Sequence, residues 1–162
     1  MKVYVASSWR CERQPGVVTA LRDAGYEVYD FRNPAPEIYG FGWKQVTPET
    51  PPWSAEKTRE VLNHSIANNA FESDLWALRW CDICVMVQPC GRSAAIELGW
   101  AAGAGKKTIV VLADGQEPEP ATARTAPRRA NELRGDARGQ DVYGDHEPGV
   151  DLGAAAKLGE RQ

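Results

Sequence analysis

The chain has 162 residues, enough for one domain with a real core, and its 43% hydrophobic and 25% charged residues are ordinary for a globular protein. A formal net charge of −3 argues against a nucleic-acid polymer or an anionic membrane as partner. No apolar stretch approaches the roughly 18 to 20 residues that a membrane span needs, and Met1-Lys2-Val3-Tyr4-Val5-Ala6 runs straight into a strand rather than reading as a signal peptide, so a cytoplasmic protein is expected.

Lys2 to Ser7 reads as a first strand, ending in the polar turn Ser7-Ser8-Trp9-Arg10. Val17, Val18, Leu21 and Ala24 recur at helical spacing, with Pro15 suited to the first turn and Gly25 as the stop. Tyr26 to Phe31 is a second strand. The stretch from Arg32 to about Pro52 is rich in proline, glycine and aromatics, Trp43 among them, and is expected to form a lid or wall over a pocket. Ser54 is a good helix N-cap, and a helical pattern runs through Val61, Leu62 and Ile66. A further helix carries Phe71, Leu75, Ala77 and Leu78, with a break expected at Asn68-Asn69. Strand Ile83 to Gln88, a helix containing Ser93, and strand Thr108 to Leu112 follow, with Gly103 and Gly105 ending the last helix. Residues from about 115 onward hold few large apolar side chains, and Val142 and Tyr143 stand isolated there. This gives one domain over 1–114 and a low-order polar tail over 115–162.

Four short strands alternating with helices predict an α/β fold. The expected architecture is a flavodoxin-like parallel sheet of about four to five strands, order 2-1-3-4, with right-handed crossovers and a disordered C-terminal tail. Cys81 and Cys84 have C-x-x-C spacing but bracket the entry to a buried strand, so buried thiols are expected rather than a redox pair or a metal site.

In that order, strands one and three are neighbours and their carboxyl ends form the crevice where such sheets bind ligands. Ser7, Ser8 and Arg10 end strand one, and Gly91, Arg92 and Ser93 follow strand three. Ser93 and the first N–H groups of its helix would suit a phosphate or a sugar hydroxyl, reinforced by Arg92. Glu97 lies on the second turn of the same helix. Ala94, Ala95, Ile96, Leu98, Gly99, Ala101 and Ala102 make that helix apolar nearly all round, so a buried Glu97 with a partner or a task is expected. Asp74 is a second candidate carboxylate, on the helix that leads into strand three.

Three pieces spanning about residues 1 to 113 resemble the nucleoside 2-deoxyribosyltransferases and their deoxynucleotide N-glycosidase relatives. They are Val3-Tyr4-Val5-Ala6-Ser7-Ser8; Asp74-Leu75 shortly before Cys81-Asp82-Ile83; and Ser93-Ala94-Ala95-Ile96-Glu97-Leu98-Gly99-Trp100-Ala101 with the following Gly105-Lys106-Lys107. The resemblance implies that Glu97 is the nucleophile at the anomeric carbon of a 2-deoxyribose. It implies that Asp74 helps to protonate or orient the base. Tyr4, Ser7 and Ser8 would fall near sugar and base, and Arg92 and Ser93 near a 5′-phosphate. A small nucleoside or nucleotide ligand, no cofactor and a homo-oligomer are the expectations that go with it. Two other classes stay open: a nucleotide-binding regulatory domain without turnover, and an N-glycosidase acting on an NAD-like dinucleotide.

Overall fold

The computed structural model describes residues 1–112 together with Val142–Tyr143. Its elements are β1 Lys2–Ala6, α1 Gln14–Asp23, β2 Glu27–Asp30, a 3-10 turn at Trp43–Gln45, α2 Ala55–Leu62, α3 Ser65–Trp80, β3 Ile83–Val87, α4 Arg92–Gly103, β4 Lys107–Val111 and β5 Val142–Tyr143. They form one sheet of order β2-β1-β3-β4-β5. The first four strands are parallel, as expected, and β5 pairs antiparallel with β4. The two residues of β5 fall in the stretch read as a low-order tail; the rest of 115–162 lies outside the described residues.

Alternation along the strands sorts the core into two layers. Val3, Val5, Ile83, Val85, Val87 and Ile109 pack against Val17, Val18 and Leu21 of α1. Tyr4, Ala6, Tyr29, Cys84, Met86 and Val110 face the other way, against Ala77 and Leu78 of α3 and Ala94, Leu98 and Ala101 of α4. Helices α3 and α4 therefore share one face of the sheet. Right-handed crossovers from β2 to β3 and from β3 to β4, both stepping in the same direction, require this.

Local signals account for most boundaries. Pro15 lies in the first turn of α1, and Gly25 takes a φ of 84° just past its end. Ser54 Oγ accepts from the Lys57 backbone N–H at 3.1 Å and caps α2. The expected break at Asn68-Asn69 is not there: α3 runs through both residues. The chain breaks earlier, at Asn63 and His64, where the His64 side chain accepts from the Ile66 N–H and starts a new helix. A histidine serving as cap carries no strong sequence signal, which is why the position was misread.

The stretch between β2 and α2 is tied down at its start. One Arg32 nitrogen, Nη2, donates to the carbonyls of Ser8, Trp9 and Cys11 at 2.8, 3.0 and 2.8 Å. The same guanidinium lies over the rings of Trp9 and Phe31. Gly40 is buried where the chain folds back, its N–H donating to the Arg32 carbonyl at 2.7 Å. A Cβ there would collide with the Phe31 carbonyl oxygen and the Trp9 ring. Gly40→Ala is expected to cost about 1 to 3 kcal/mol by overpacking. Gly42→Ala, with open space around the new methyl, should stay within about 0.5 kcal/mol of wild type. Chemical denaturation of the two variants checks the contrast.

Candidate active site

The register of β1 against β2 pairs Tyr4 directly with Tyr29. Both point to the face covered by α3 and α4, and their rings stack with centroids 5.4 Å apart at 13°. Each phenol meets a carboxylate from a helix above. The Tyr4 phenol lies close enough to Glu97 of α4 for each to act on the other's proton. The Tyr29 hydroxyl donates to Asp74 Oδ1 of α3 at 2.8 Å and lies 2.9 Å from Ser73 Oγ.

Electrostatics follow from that packing. Burial, then the nearby Asp74 charge, push Glu97 up to about 7, while the Tyr4 phenol pulls the other way. Burial also raises Asp74, against the opposing effect of its bond from Tyr29. Both phenols are driven well above the usual tyrosine range, first by burial and also by the two carboxylates, so they remain donors throughout the physiological range. The Cys84 thiol, beside Tyr4 on β3, is likewise pushed up by burial and stays protonated. Cys81 and Cys84 are buried and free, as their sequence context implies.

The structure brings Tyr4, Asp74 and Glu97 together and distributes the other candidates around them. Ser7, at the end of β1, donates to the Val87 carbonyl at 2.8 Å and ties the ends of β1 and β3. Ser8 accepts from the Arg10 backbone N–H through its hydroxyl, and the Arg10 side chain is exposed. Gly91, Arg92 and Ser93 are exposed at the start of α4. Gly91 is the N-cap in extended conformation, and no side chain caps the helix. Ser93 lies one turn before Glu97. Trp43 packs edge-on between Phe41 and Trp53, at 4.8 and 5.3 Å, within its own loop.

One sequence expectation needs correction. The apolar residues that ring α4 do not bury Glu97 fully: Ala94, Leu98 and Ala101 face the sheet, while Ile96 is 72% and Trp100 38% exposed. The apolar composition of the helix misleads because alanine stands on both sides of it, Ala94 and Ala101 toward the sheet and Ala95 and Ala102 away from it. Glu97 lies at the margin between the two faces and is half-buried. Tyr29 and Ser73 were missed. Tyr29 is an aromatic in a short strand, which reads as core, and a serine in the middle of a helix carries no signal of its own. Among the described residues no cluster of three or more His, Cys, Asp or Glu could hold a metal ion, and no helix is long and apolar enough to cross a membrane.

No protein-family model matches the chain, and no curated protein matches it. A similar solved structure is that of a 2-deoxyribosyltransferase from the psychrotolerant bacterium Bacillus psychrosaccharolyticus. It has 23% sequence identity and a TM-score of 0.49, over 78% of this chain and 82% of that one. A likeness of that degree carries no argument about what this chain does.

The raised Glu97 has a signature in stability. The folded chain holds the proton up to about 7, whereas the unfolded chain releases it near 4.5. This stability is fully present below the unfolded value and is lost as pH rises through the folded value. Glu97→Gln carries no such loss. Its melting temperature relative to wild type should therefore climb as pH rises from about 4.5 to about 7 and level off above. Thermal melts of the two proteins across that range check it.

Proposed function

We propose that this chain cleaves or transfers at the N-glycosidic bond of a deoxynucleoside or deoxynucleoside monophosphate, with Glu97 as nucleophile. The observation that carries the reading is the convergence of Glu97 and Asp74, from two helices, over the stacked phenols of Tyr4 and Tyr29. Glycosyl transfer passes through an oxocarbenium-like state that a close carboxylate stabilises, and a second carboxyl group serves the leaving group. The motif resemblance supports the assignment of roles.

The ionised Glu97 oxygen attacks the anomeric carbon as the bond from that carbon to the base nitrogen breaks. The electron pair of that bond leaves with the base, which Asp74 orients and helps to protonate. The product is a glycosyl ester on Glu97. Water completes hydrolysis, or a second base completes transfer. Tyr4 holds the attacking carboxylate in place. Ser7, Ser8, Arg10 and Trp43 would serve the sugar and base. Gly91, Arg92 and Ser93, at a helix start without a side-chain cap, would serve a 5′-phosphate. In this reading residues 1–114 form the catalytic unit, its partner is a small molecule, and it works as a homo-oligomer.

Glu97→Gln should keep the fold and ligand binding and lose base release by several orders of magnitude. Wild type incubated with a slow 2-fluoro-deoxyribosyl substrate should gain the mass of one sugar; the variant should not. A Glu97→Gln protein that still releases base sinks the assignment. Binding by wild type without any base release favours a regulatory domain instead.

The nucleophile must be ionised to attack. The rate of base release in wild type should therefore rise with pH through about 7, the value at which Glu97 loses its proton. A profile that is flat from about 6 to 8 would count against Glu97 as the attacking group.

A further inference from the structure

Two carboxylates share one face of the sheet, and the groups that act on them include no cation. Such a pair is costly unless each charge is hydrogen-bonded. Tyr29 is the one side chain among the described residues that hydrogen-bonds to Asp74. Tyr29 is itself held firmly. Its ring stacks on Tyr4 at 13°, its backbone is locked in the β1–β2 ladder, and it is only 8% exposed. Its single proton goes to Asp74 Oδ1 at 2.8 Å, so the 2.9 Å contact with Ser73 must run from the serine hydroxyl to the phenol oxygen. The result is a directed chain, Ser73 to Tyr29 to Asp74. A hydroxyl that accepts one hydrogen bond donates the next more strongly.

We propose that Tyr29 is a positioning residue for Asp74: its hydroxyl takes up Oδ1, fixes the carboxylate plane, and leaves Oδ2 as the oxygen available to a ligand. The same bond favours the charged form of Asp74 at a place where burial opposes it. The titratable groups around Asp74 are Tyr29 on β2, Tyr4 on β1 and Glu97 on α4, with the exposed Glu72 on α3 itself. Lys106, beyond α4, acts on Cys81 and Cys84 rather than on either carboxylate. Tyr4 keeps its proton throughout the working range, and the Tyr29 hydrogen bond is what opposes the effect of burial on Asp74.

The test has two arms, and only the second rests on the glycosyl-transfer reading. In the first, carboxyl carbons of the full chain labelled with carbon-13 are titrated by NMR, with Asp74 assigned from its absence in Asp74→Asn. Tyr29→Phe keeps the ring stack and removes only the donor. The Asp74 midpoint should rise by about one pH unit or more, the scale of a lost hydrogen bond to a charged group. An unmoved midpoint overturns the proposal. If Tyr29→Phe does not fold, Ser73→Ala carries this arm: it leaves the phenol in place, weakens its donation, and should raise the midpoint in the same direction by less. No rise there overturns the proposal equally.

In the second arm, base release is measured for Tyr29→Phe, Asp74→Asn and the double variant. Tyr29→Phe should lose about tenfold to a hundredfold in kcat with little change in KM. The double variant should be no slower than Asp74→Asn, because the phenol acts through that carboxylate. Multiplicative losses overturn the proposal. If wild type releases no base from any nucleoside or nucleotide, the proposed function falls, and the Asp74 titration alone decides the role of Tyr29.

Discussion

The candidate site depends on one row of the parallel ladder. Because Tyr4 of β1 stands opposite Tyr29 of β2, two phenols lie side by side with their hydroxyls toward the same face. A one-residue slip of either strand would turn its phenol to the α1 side of the sheet. A slip of β2 would leave Asp74 without the Tyr29 donor, and a slip of β1 would take the Tyr4 phenol away from Glu97. A hydrogen bond to a charged group contributes about 1.5 to 3 kcal/mol, and stripping it from a buried charge costs more. Register and site electrostatics are thus one constraint.

The helices above are placed by the same alternation. Ala77 and Leu78 seat α3 on the sheet, and Ala94, Leu98 and Ala101 seat α4. Small residues at the α4 contact let its backbone come close to the strands. Glu97, three positions after Ala94 and one before Leu98, is thereby carried to the edge of the packed face, within reach of the Tyr4 hydroxyl. Asp74 comes down from α3 in the turn before Ala77 and Leu78. The carboxylates are held by packing from above and by phenols from below, and their mutual repulsion adds to burial in raising Glu97 to about 7.

A second set of ties organises the sheet end around this pair. Arg32 gathers the carbonyls of the turn after β1 and stacks on Trp9 and Phe31, and Ser7 links β1 to the end of β3. These bonds use backbone carbonyls that would otherwise face solvent at the strand ends. They leave the start of α4, with Gly91, Arg92 and Ser93, open to solvent. This end of the sheet therefore has a fixed floor and, at the start of α4, a rim open to solvent.

Much of this was legible in the sequence because it is written in local chemistry. The apolar runs at Lys2, Tyr26, Ile83 and Thr108, the cap at Ser54 and the stop at Gly25 each reflect forces acting within a few residues. Alternation of strand and helix then leaves few ways to order a parallel sheet. The same local reading picked out Glu97, since a carboxylate among small apolar residues is costly unless it has a partner; Asp74 stood out only by its place on the helix leading into β3 and by the motif resemblance. The local reading could not supply the partners. Tyr29 is forty-five residues from Asp74, and only the β1–β2 register and the crossover of α3 bring them to 2.8 Å. The exposed side of α4, the cap at His64 and the reach of Arg32 escaped for a related reason. Composition tells which residues are apolar or charged, but which face a helix turns to the sheet, and which carbonyls a long side chain meets, are decided by packing between segments distant along the chain.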